Sequence, residues 1–153
     1  MALEYKLHIK SKISLLNLVE NYLTGKNIIF SKENISKGVN LYLHESLGFI
    51  VSILFSEKIY FEYLINKNHS IEDEWDYSSD IHFRLDKFYD NLLVRLNMID
   101  VCIYVLNNTE GDAKLLFNGD VLVLERIKGV ISINKNFGFW NSDELLNKVE
   151  SVI

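Results

Sequence analysis

One dipeptide between two apolar runs constrains the fold of this chain more than any other feature. Asn118-Gly119 separates the apolar residues 115–117 from the apolar residues 121–124. Both central positions of a tight hairpin turn require positive φ, and Asn-Gly is a pair that tolerates it. Lys128-Gly129 makes a second turn into residues 130–133. This pattern predicts a three-stranded β-meander in the C-terminal part of the chain.

The first half of the chain is also rich in strand signals. Leu3, Tyr5, Leu7 and Ile9 alternate with polar residues, which predicts a half-buried strand. Segments rich in β-branched and aromatic residues predict further strands at 27–31, 39–45, 49–55, 59–65 and 81–85. The apolar run 47–55 is also compatible with a short buried helix.

Three segments favour helices. The first runs from a Ser11 N-cap to about residue 24, with Gly25 as the C-terminal cap. The second and longest spans about 88–106, with Asp86 or Asp90 favouring its N-terminus, and residues 107–111 end it. The third begins at Asn141, with Glu144 as a capping-box partner.

These elements predict one α+β domain over residues 1–153. We expect a mostly antiparallel sheet with two main helices and a C-terminal β-meander. The chain has no proline and only seven glycines, and it contains no hinge-like, low-complexity or repeated segment. Nothing in the sequence therefore marks a domain boundary.

The net charge of −5 is concentrated in one segment, residues 70–80. Removing its five acids from the 21 in the chain leaves 16, against 16 Lys and Arg, so the remainder is balanced. That distribution argues against nucleic-acid binding, which requires a basic face. The segment lies between predicted strands, which places it in a loop or at a strand edge.

Aromatic residues interleaved with these acids make the segment a candidate protein-binding surface. Aromatic side chains are enriched at binding hot spots, and carboxylates around them complement a basic partner such as a nuclease groove. A solvated loop is the alternative interpretation, and a divalent-metal site is a weaker third. The predicted partner-binding residues are Glu72, Asp73, Glu74, Trp75, Asp76, Tyr77 and Asp80.

No motif for catalysis, cofactor binding or metal binding stands out. His8 and His44 fall on the solvent-facing phase of predicted strands, and the four histidines lack metal-ligand spacing. Cys102 lies in an apolar helix, where a thiol behaves as a small hydrophobe. His82 and Arg84 share one strand face and provide the alternative of a small enzyme or ligand-binding domain. We expect no enzyme activity and no cofactor.

The sequence also bears on location and assembly. The N-terminal residues lack the apolar region of a signal peptide, and no apolar run reaches the roughly 18 residues of a membrane helix. A soluble cytoplasmic protein is expected, which a lone cysteine fits. A monomer is favoured, with pairing between subunits through strands such as residues 39–43 as the alternative.

Several stretches resemble a known family. Residues 1–5 (MALEY), 83–87 (FRLDK) and 111–120 (GDAKLLFNGD), with Phe139-Trp140, are similar to immunity proteins of the swappable-toxin (Sit) type. The same broad class includes the immunity partners of contact-dependent growth inhibition systems. Residues 27–80 match poorly.

The resemblance implies a cytoplasmic protein that binds and neutralises the C-terminal domain of a cognate toxin, and so protects the bacterium that makes it. Such families carry no catalytic residues. Residues 111–120 then belong to the scaffold, and the toxin-facing residues lie in the variable part of the chain. The acidic segment falls in that part.

Overall fold

The computed structural model describes residues 2–86, 88 and 91–153, which form a ten-stranded sheet with three α-helices. The strands are β1 (Ala2–Ile9), β2 (Ser31–Ile35), β3 (Gly38–Leu43), β4 (Phe49–Ser56), β5 (Ile59–Asn66), β6 (His69–Trp75), β7 (Ser78–Asp86), β8 (Ala113–Phe117), β9 (Val121–Ile127) and β10 (Val130–Ile133). The helices are α1 (Leu16–Gly25), α2 (Leu92–Asn107) and α3 (Asp143–Glu150), and a 3-10 turn covers Gly138–Trp140. The predicted α+β class with a mostly antiparallel sheet is confirmed.

The sheet is continuous from β2 to β6. Over the described residues its strands follow the order β2-β3-β4-β7-β1-β8-β9-β5-β6, and β10 pairs with β9. The contact of β5 with β9 is parallel and consists of the pair Leu64 and Val121. The hairpin formed by β5 and β6 is therefore joined to the rest of the sheet by little backbone pairing.

The C-terminal β-meander is confirmed. Asn118 and Gly119 have φ values of 50° and 79°, as a hairpin turn with two positive φ angles requires. Lys128 and Gly129, with φ values of 50° and 82°, form the second turn. β8, β9 and β10 pair antiparallel in sequence order.

One face of the sheet forms the main core. Alternate residues of its central strands, such as Leu7 in β1 and Phe83 in β7, are buried in one cluster with the apolar residues of the helices. Val19 of α1 and Met98 of α2 belong to that cluster. The alternation of apolar and polar residues along these strands predicts the buried face well, because burial on one side of a sheet imposes a period of two.

The opposite face is partly covered by the β5–β6 hairpin. Phe61, Tyr63 and Trp75 of the hairpin pack with Leu116 of β8 and Leu122 of β9 in a second, smaller core. The hairpin thus lies over the face of the sheet that carries no helix, and it buries part of what the sequence pattern presents as a solvent face.

The observed strands differ from the predictions for the sequence in two segments, 27–30 and 47–55. Residues 27–30 are not a strand: Asn27 has a φ of 56°, and the Ile28 amide donates to the Leu23 carbonyl, so this segment turns off the helix. The strand begins at Ser31 instead. The apolar run 47–55 is resolved as the strand β4 rather than a buried helix, and β3 and β7 pair on either side of it.

The first and last helices begin differently from the prediction. Ser11 does not cap α1; its Oγ accepts a bond from the Ile13 amide in a local turn, and α1 starts at Leu16 without a side-chain cap. Gly25 is the last residue of the helix rather than its cap. The N-cap of α3 is Ser142, one residue after the predicted Asn141, and its Oγ accepts from the Leu145 amide.

Asn91 rather than an aspartate caps α2. Its side chain accepts from the Val94 amide at 3.1 Å, which satisfies one of the free amides of the first turn. Asp86 accepts from the Phe88 amide at 2.9 Å, ahead of the helix. Asp90, the other predicted capping residue, lies outside the described residues.

Candidate functional site

The acidic segment is a strand at the end of the sheet, and strand alternation divides it into two sets of side chains. β6 pairs with β5, in the register Tyr60 with Glu74 and Glu62 with Glu72. Glu72 and Glu74 are exposed, whereas Trp75 is only 4% exposed. The segment was predicted as a loop or a strand edge. Residues 70–75 form an edge strand, residues 76–77 connect it to β7, and residues 78–80 belong to β7, which is an internal strand.

Trp75 is a core residue, which corrects its interpretation as an exposed aromatic anchor. Its ring meets that of Phe61 edge-on, with centroids 4.8 Å apart and an interplanar angle of 74°. It closes the second core from the end of β6. The indole points inward because it shares its strand phase with Asp73, whose side chain also reaches into the fold.

Asp73 reaches a buried lysine of the main sheet. Lys114 of β8 is 5% exposed, and its Nζ lies 3.2 Å from Asp73 Oδ2 and 2.7 Å from Tyr63 Oη. The same ammonium lies over the rings of Tyr63, Phe61 and Trp75, at 4.8, 5.5 and 5.7 Å from their centroids.

The pKa values of this pair reflect their mutual attraction. Burial lowers the pKa of Lys114, but the bonds to Tyr63 and Asp73 outweigh it and leave that pKa above its usual value. Burial likewise raises the pKa of Asp73, and the Glu74 amide and Lys114 outweigh it, so the net pKa is lowered. Both groups are therefore charged at neutral pH, and they attach the hairpin to the sheet.

Asp80 is also buried, at 1% exposure, and belongs to β7 rather than to the acidic surface. It accepts hydrogen bonds from His8 Nδ1 at 2.7 Å and from Ser56 Oγ at 2.6 Å, and a third from Ser78 Oγ. Burial raises the pKa of Asp80, but His8 and the two hydroxyls outweigh it, and the net pKa is below the usual value. These bonds make the carboxylate a structural group.

The burial of His8 corrects the prediction of a surface histidine. His8 lies on the face of β1 that the hairpin covers, and the Phe61 ring meets it edge-on at 5.2 Å. His44, the other histidine predicted to be exposed, is exposed, although it lies in the turn after β3.

The two predicted residues after β6 differ in exposure. Asp76 is exposed, and Tyr77 is partly buried, with Lys12 Nζ at 4.9 Å from its ring centroid. Of the seven predicted partner-binding residues, Glu72, Glu74 and Asp76 are thus the exposed ones.

The outward side of β5 adds residues that the prediction missed. Tyr60 is 57% exposed, Leu64 is 39% exposed, and Glu62 lies between them. Partial desolvation, then the hydrogen bond and charge of Glu72, and then the charges of Glu62 and Glu74 raise the pKa of Tyr60. The alternation of residues 59–65 contained this signal, since a strand with Phe61 and Tyr63 inward must turn Tyr60 and Glu62 outward.

His82 and Arg84, the basis of the ligand-binding alternative, differ in exposure, since His82 is partly buried and Arg84 is exposed. Burial, followed by the charge of Lys6, lowers the pKa of His82 to about 4, so its imidazole is neutral at physiological pH. Arg84 is exposed, with Nη2 at 3.6 Å from Glu4 Oε1. A cavity of about 1010 Å³ between the β3–β4 turn, the end of β7 and the start of α2 is lined by Arg84 but not by His82.

The remaining candidate groups are structural. Cys102 is buried in α2, and burial raises the pKa of its thiol far above the usual range, as predicted for a core cysteine. Across residues 2–86, 88 and 91–153, no group of three or more His, Cys, Asp or Glu side chains is placed to hold a metal ion. Nor does this part of the chain include a helix with the length and hydropathy of a membrane span.

Comparison with known protein families gives a match to most of the chain. A family model described as SitI3-like matches residues 3–144, from the first strand to the start of the last helix. No curated protein and no solved structure matches.

Proposed function

The chain belongs to the SitI3-like family, and on that premise we propose that it is an immunity protein that binds and neutralises a cognate toxin domain. The observation that carries this proposal is the extent of the match, which runs from within β1 to the start of α3. The protein would thereby protect the bacterium that produces it and its siblings. Contact-dependent growth inhibition is one setting in which such a protein operates, and the cytoplasm is where it would meet the toxin.

Binding rather than catalysis is supported by the state of the buried polar groups. Asp80 is bonded to His8 and two serine hydroxyls, and Lys114 is bonded to Tyr63 and Asp73. Burial keeps the thiol of Cys102 protonated. These groups have structural partners, so they support a scaffold rather than a reaction centre.

We assign toxin binding to the acidic segment of this scaffold. Glu72, Glu74 and Asp76 are exposed and complement a basic surface, such as the substrate groove of a nuclease. Trp75 and Asp80 are buried and would not touch the partner, and Asp73 is bonded to Lys114. Complementary charge of this kind raises the association rate, which suits an inhibitor that must act before its toxin does.

Co-expression tests the proposal. The toxin domain is taken from the C-terminus of the open reading frame immediately upstream of this gene, and its induction alone should arrest growth. Co-expression of this protein should restore growth, and the two should co-purify as a complex. Continued arrest while this protein is present in soluble, folded form would show that the assignment is wrong.

A further inference from the structure

We propose that the docking surface is the outward side of the β5–β6 hairpin, and that its occupant is a cationic protein surface with an apolar recess. This inference rests on the proposed immunity function and extends it to residues on β5. We call this surface the outer hairpin face; it consists of Tyr60, Glu62, Leu64, Ser70, Glu72 and Glu74.

The first observation is a pair of like charges that the fold does not require. Glu62 and Glu72 lie directly opposite each other in the antiparallel register, and both are exposed. Like charges at directly opposed positions destabilise a sheet. Glu74 adds a third carboxylate on the same side, and its ion pair is with Lys58 at 2.8 Å, at the end of the hairpin. A cationic side chain inserted between Glu62 and Glu72 would remove this repulsion.

The second observation is the pair of apolar side chains that flanks these acids. Tyr60 and Leu64 lie on either side of Glu62 along one strand, and they are 57% and 39% exposed. At about 3.3 Å per residue they are roughly 13 Å apart, which fits two contacts within one interface. An amphipathic tyrosine amid charged residues is typical of a binding hot spot.

The hairpin beneath this surface is held in place before any partner binds. The inward residues of the same two strands belong to the second core. Lys114 bonds to both strands, through Tyr63 in β5 and Asp73 in β6. A preformed surface loses little conformational entropy on binding. The outer hairpin face therefore has the rigidity that a tight inhibitor needs.

The charge of the surface selects among occupants. A second copy of this chain would set carboxylates against carboxylates, and nucleic acid would be repelled in the same way. A protein that presents Lys or Arg around an apolar recess satisfies both the acids and the two apolar side chains. The toxin domain is therefore the occupant of the outer hairpin face.

A charge-removal experiment separates a binding role from a structural one. Glu62→Gln/Glu72→Gln removes the repulsion and leaves an amide oxygen at position 72 that can still accept from the Tyr60 hydroxyl, so the free protein should unfold at an equal or higher temperature than the wild type. Affinity for the toxin domain, measured by calorimetry, should nevertheless fall by at least about tenfold, as loss of close interfacial charge pairs does. Glu45→Gln/Glu150→Gln, which changes the net charge equally at exposed sites outside the hairpin, should leave the affinity near that of the wild type.

A second set of variants tests the apolar part. Tyr60→Thr and Leu64→Thr introduce a β-branched residue that suits a strand, and each should weaken binding by about tenfold or more, with the fold intact by circular dichroism. Tyr60→Phe keeps the ring and should lose much less. Val130→Thr, at an exposed apolar position on β10, is the matched control.

The outcomes distinguish this inference from the proposed function. If the wild-type protein binds and rescues, while the charge-removal variant and both threonine variants bind as tightly, the outer hairpin face is not the docking surface and the immunity function stands. If the wild-type protein neither binds nor rescues, the proposed function fails and this inference fails with it.

Discussion

Asp80 is the residue on which three polar side chains of the sheet converge. His8, Ser56 and Ser78 come from three different strands or strand ends, and all donate to its carboxylate. A buried carboxylate with this many donors is stable as an anion, and its replacement leaves the donors without an acceptor of equal strength.

Asp80→Asn should therefore lower the free energy of unfolding by about 2–4 kcal/mol at pH 7. The folded-state pKa of Asp80 is lowered, so its contribution is present above the unfolded-state pKa of about 4 and is lost as pH falls through the folded-state value. Urea titrations at several acidic pH values should show that the free energy of unfolding falls less on acidification in the variant than in the wild type. Asp76→Asn, an equal change at an exposed site, should have little effect, and a similar loss in both variants would contradict this role.

His82 gives a second pH dependence, in a different window. The folded-state pKa of about 4 lies below the ordinary 6.5, so between these values the unfolded chain binds a proton that the folded chain does not. Stability should therefore fall as pH is lowered from 6.5 to 4, by roughly 3 kcal/mol from this residue. His82→Gln should remove that part of the decline in urea unfolding, and His44→Gln should not. An unchanged profile in His82→Gln would contradict the assignment.

At the scale of elements, the β5–β6 hairpin is the part whose attachment depends most on side chains. Its backbone meets the rest of the sheet at one parallel pair, Leu64 with Val121, and at the Leu64 amide, which donates to the Asp120 carbonyl at 2.7 Å. The second core and Lys114 supply the remaining contacts.

Lys114→Met should loosen the hairpin while leaving the main sheet intact. The substitution keeps the apolar stem but removes the bonds to Tyr63 and Asp73, at a cost of about 2 kcal/mol. Hydrogen exchange should accelerate by about tenfold or more in β5 and β6 and remain slow in β1 and β7. Lys148→Met, which breaks an ion pair of 2.7 Å with Asp100 between α3 and α2, is the control. Uniform acceleration across the sheet would show that Lys114 has no local role.

The same hairpin marks the limit of what the sequence predicts. Strands such as β1 and β7 were predictable because one buried face imposes alternation, and the meander was predictable because its turns demand Asn-Gly and Lys-Gly. Alternation alone does not say whether the second face is also covered. His8 has the phase of a solvent residue, yet it is buried by a hairpin more than 50 positions away in sequence.

The exposure of the acidic residues was predictable in part. Charge concentration drew attention to residues 70–80, and Glu72 and Glu74 among them are exposed as expected, while their role in binding stays a prediction. The sequence could not tell which of the interleaved aromatic residues faces outward, because that depends on the packing of Phe61 against Trp75. The outward direction of Tyr60 follows from the alternation of residues 59–65, but its place beside Glu74 follows from the strand register, which the sequence does not show.

At the scale of the whole molecule, the arrangement of the sheet bears on assembly. β3, the strand considered for pairing between subunits, is an internal strand between β2 and β4. The ends of the strand order are β2 and β6, which expose Lys32 and Glu33 at one end and Glu72 and Glu74 at the other. At these two edges the charges discourage pairing between molecules. β10, which pairs with β9 off this path, is a further edge, and it is only four residues long and uncharged.

The free protein should accordingly sediment as a monomer at micromolar concentration. Lys32→Val/Glu33→Val removes the charges from β2 and should increase self-association, because the edge then presents an apolar, β-prone strand. Sedimentation velocity of both proteins provides the measurement. A stable wild-type dimer that persists at high salt would contradict this expectation.

The division of β6 into inward and outward residues has a consequence for how such a protein can change over generations. Substitutions at the even positions 70, 72 and 74 alter the outer hairpin face without touching the second core, so partner preference can diverge while the fold persists. A change in length has no such freedom: deleting one residue within the strand would reverse the phase of those after it, placing carboxylates in the core and the Trp75 indole in water. Diversification at this strand is therefore expected to proceed by point substitution at constant length.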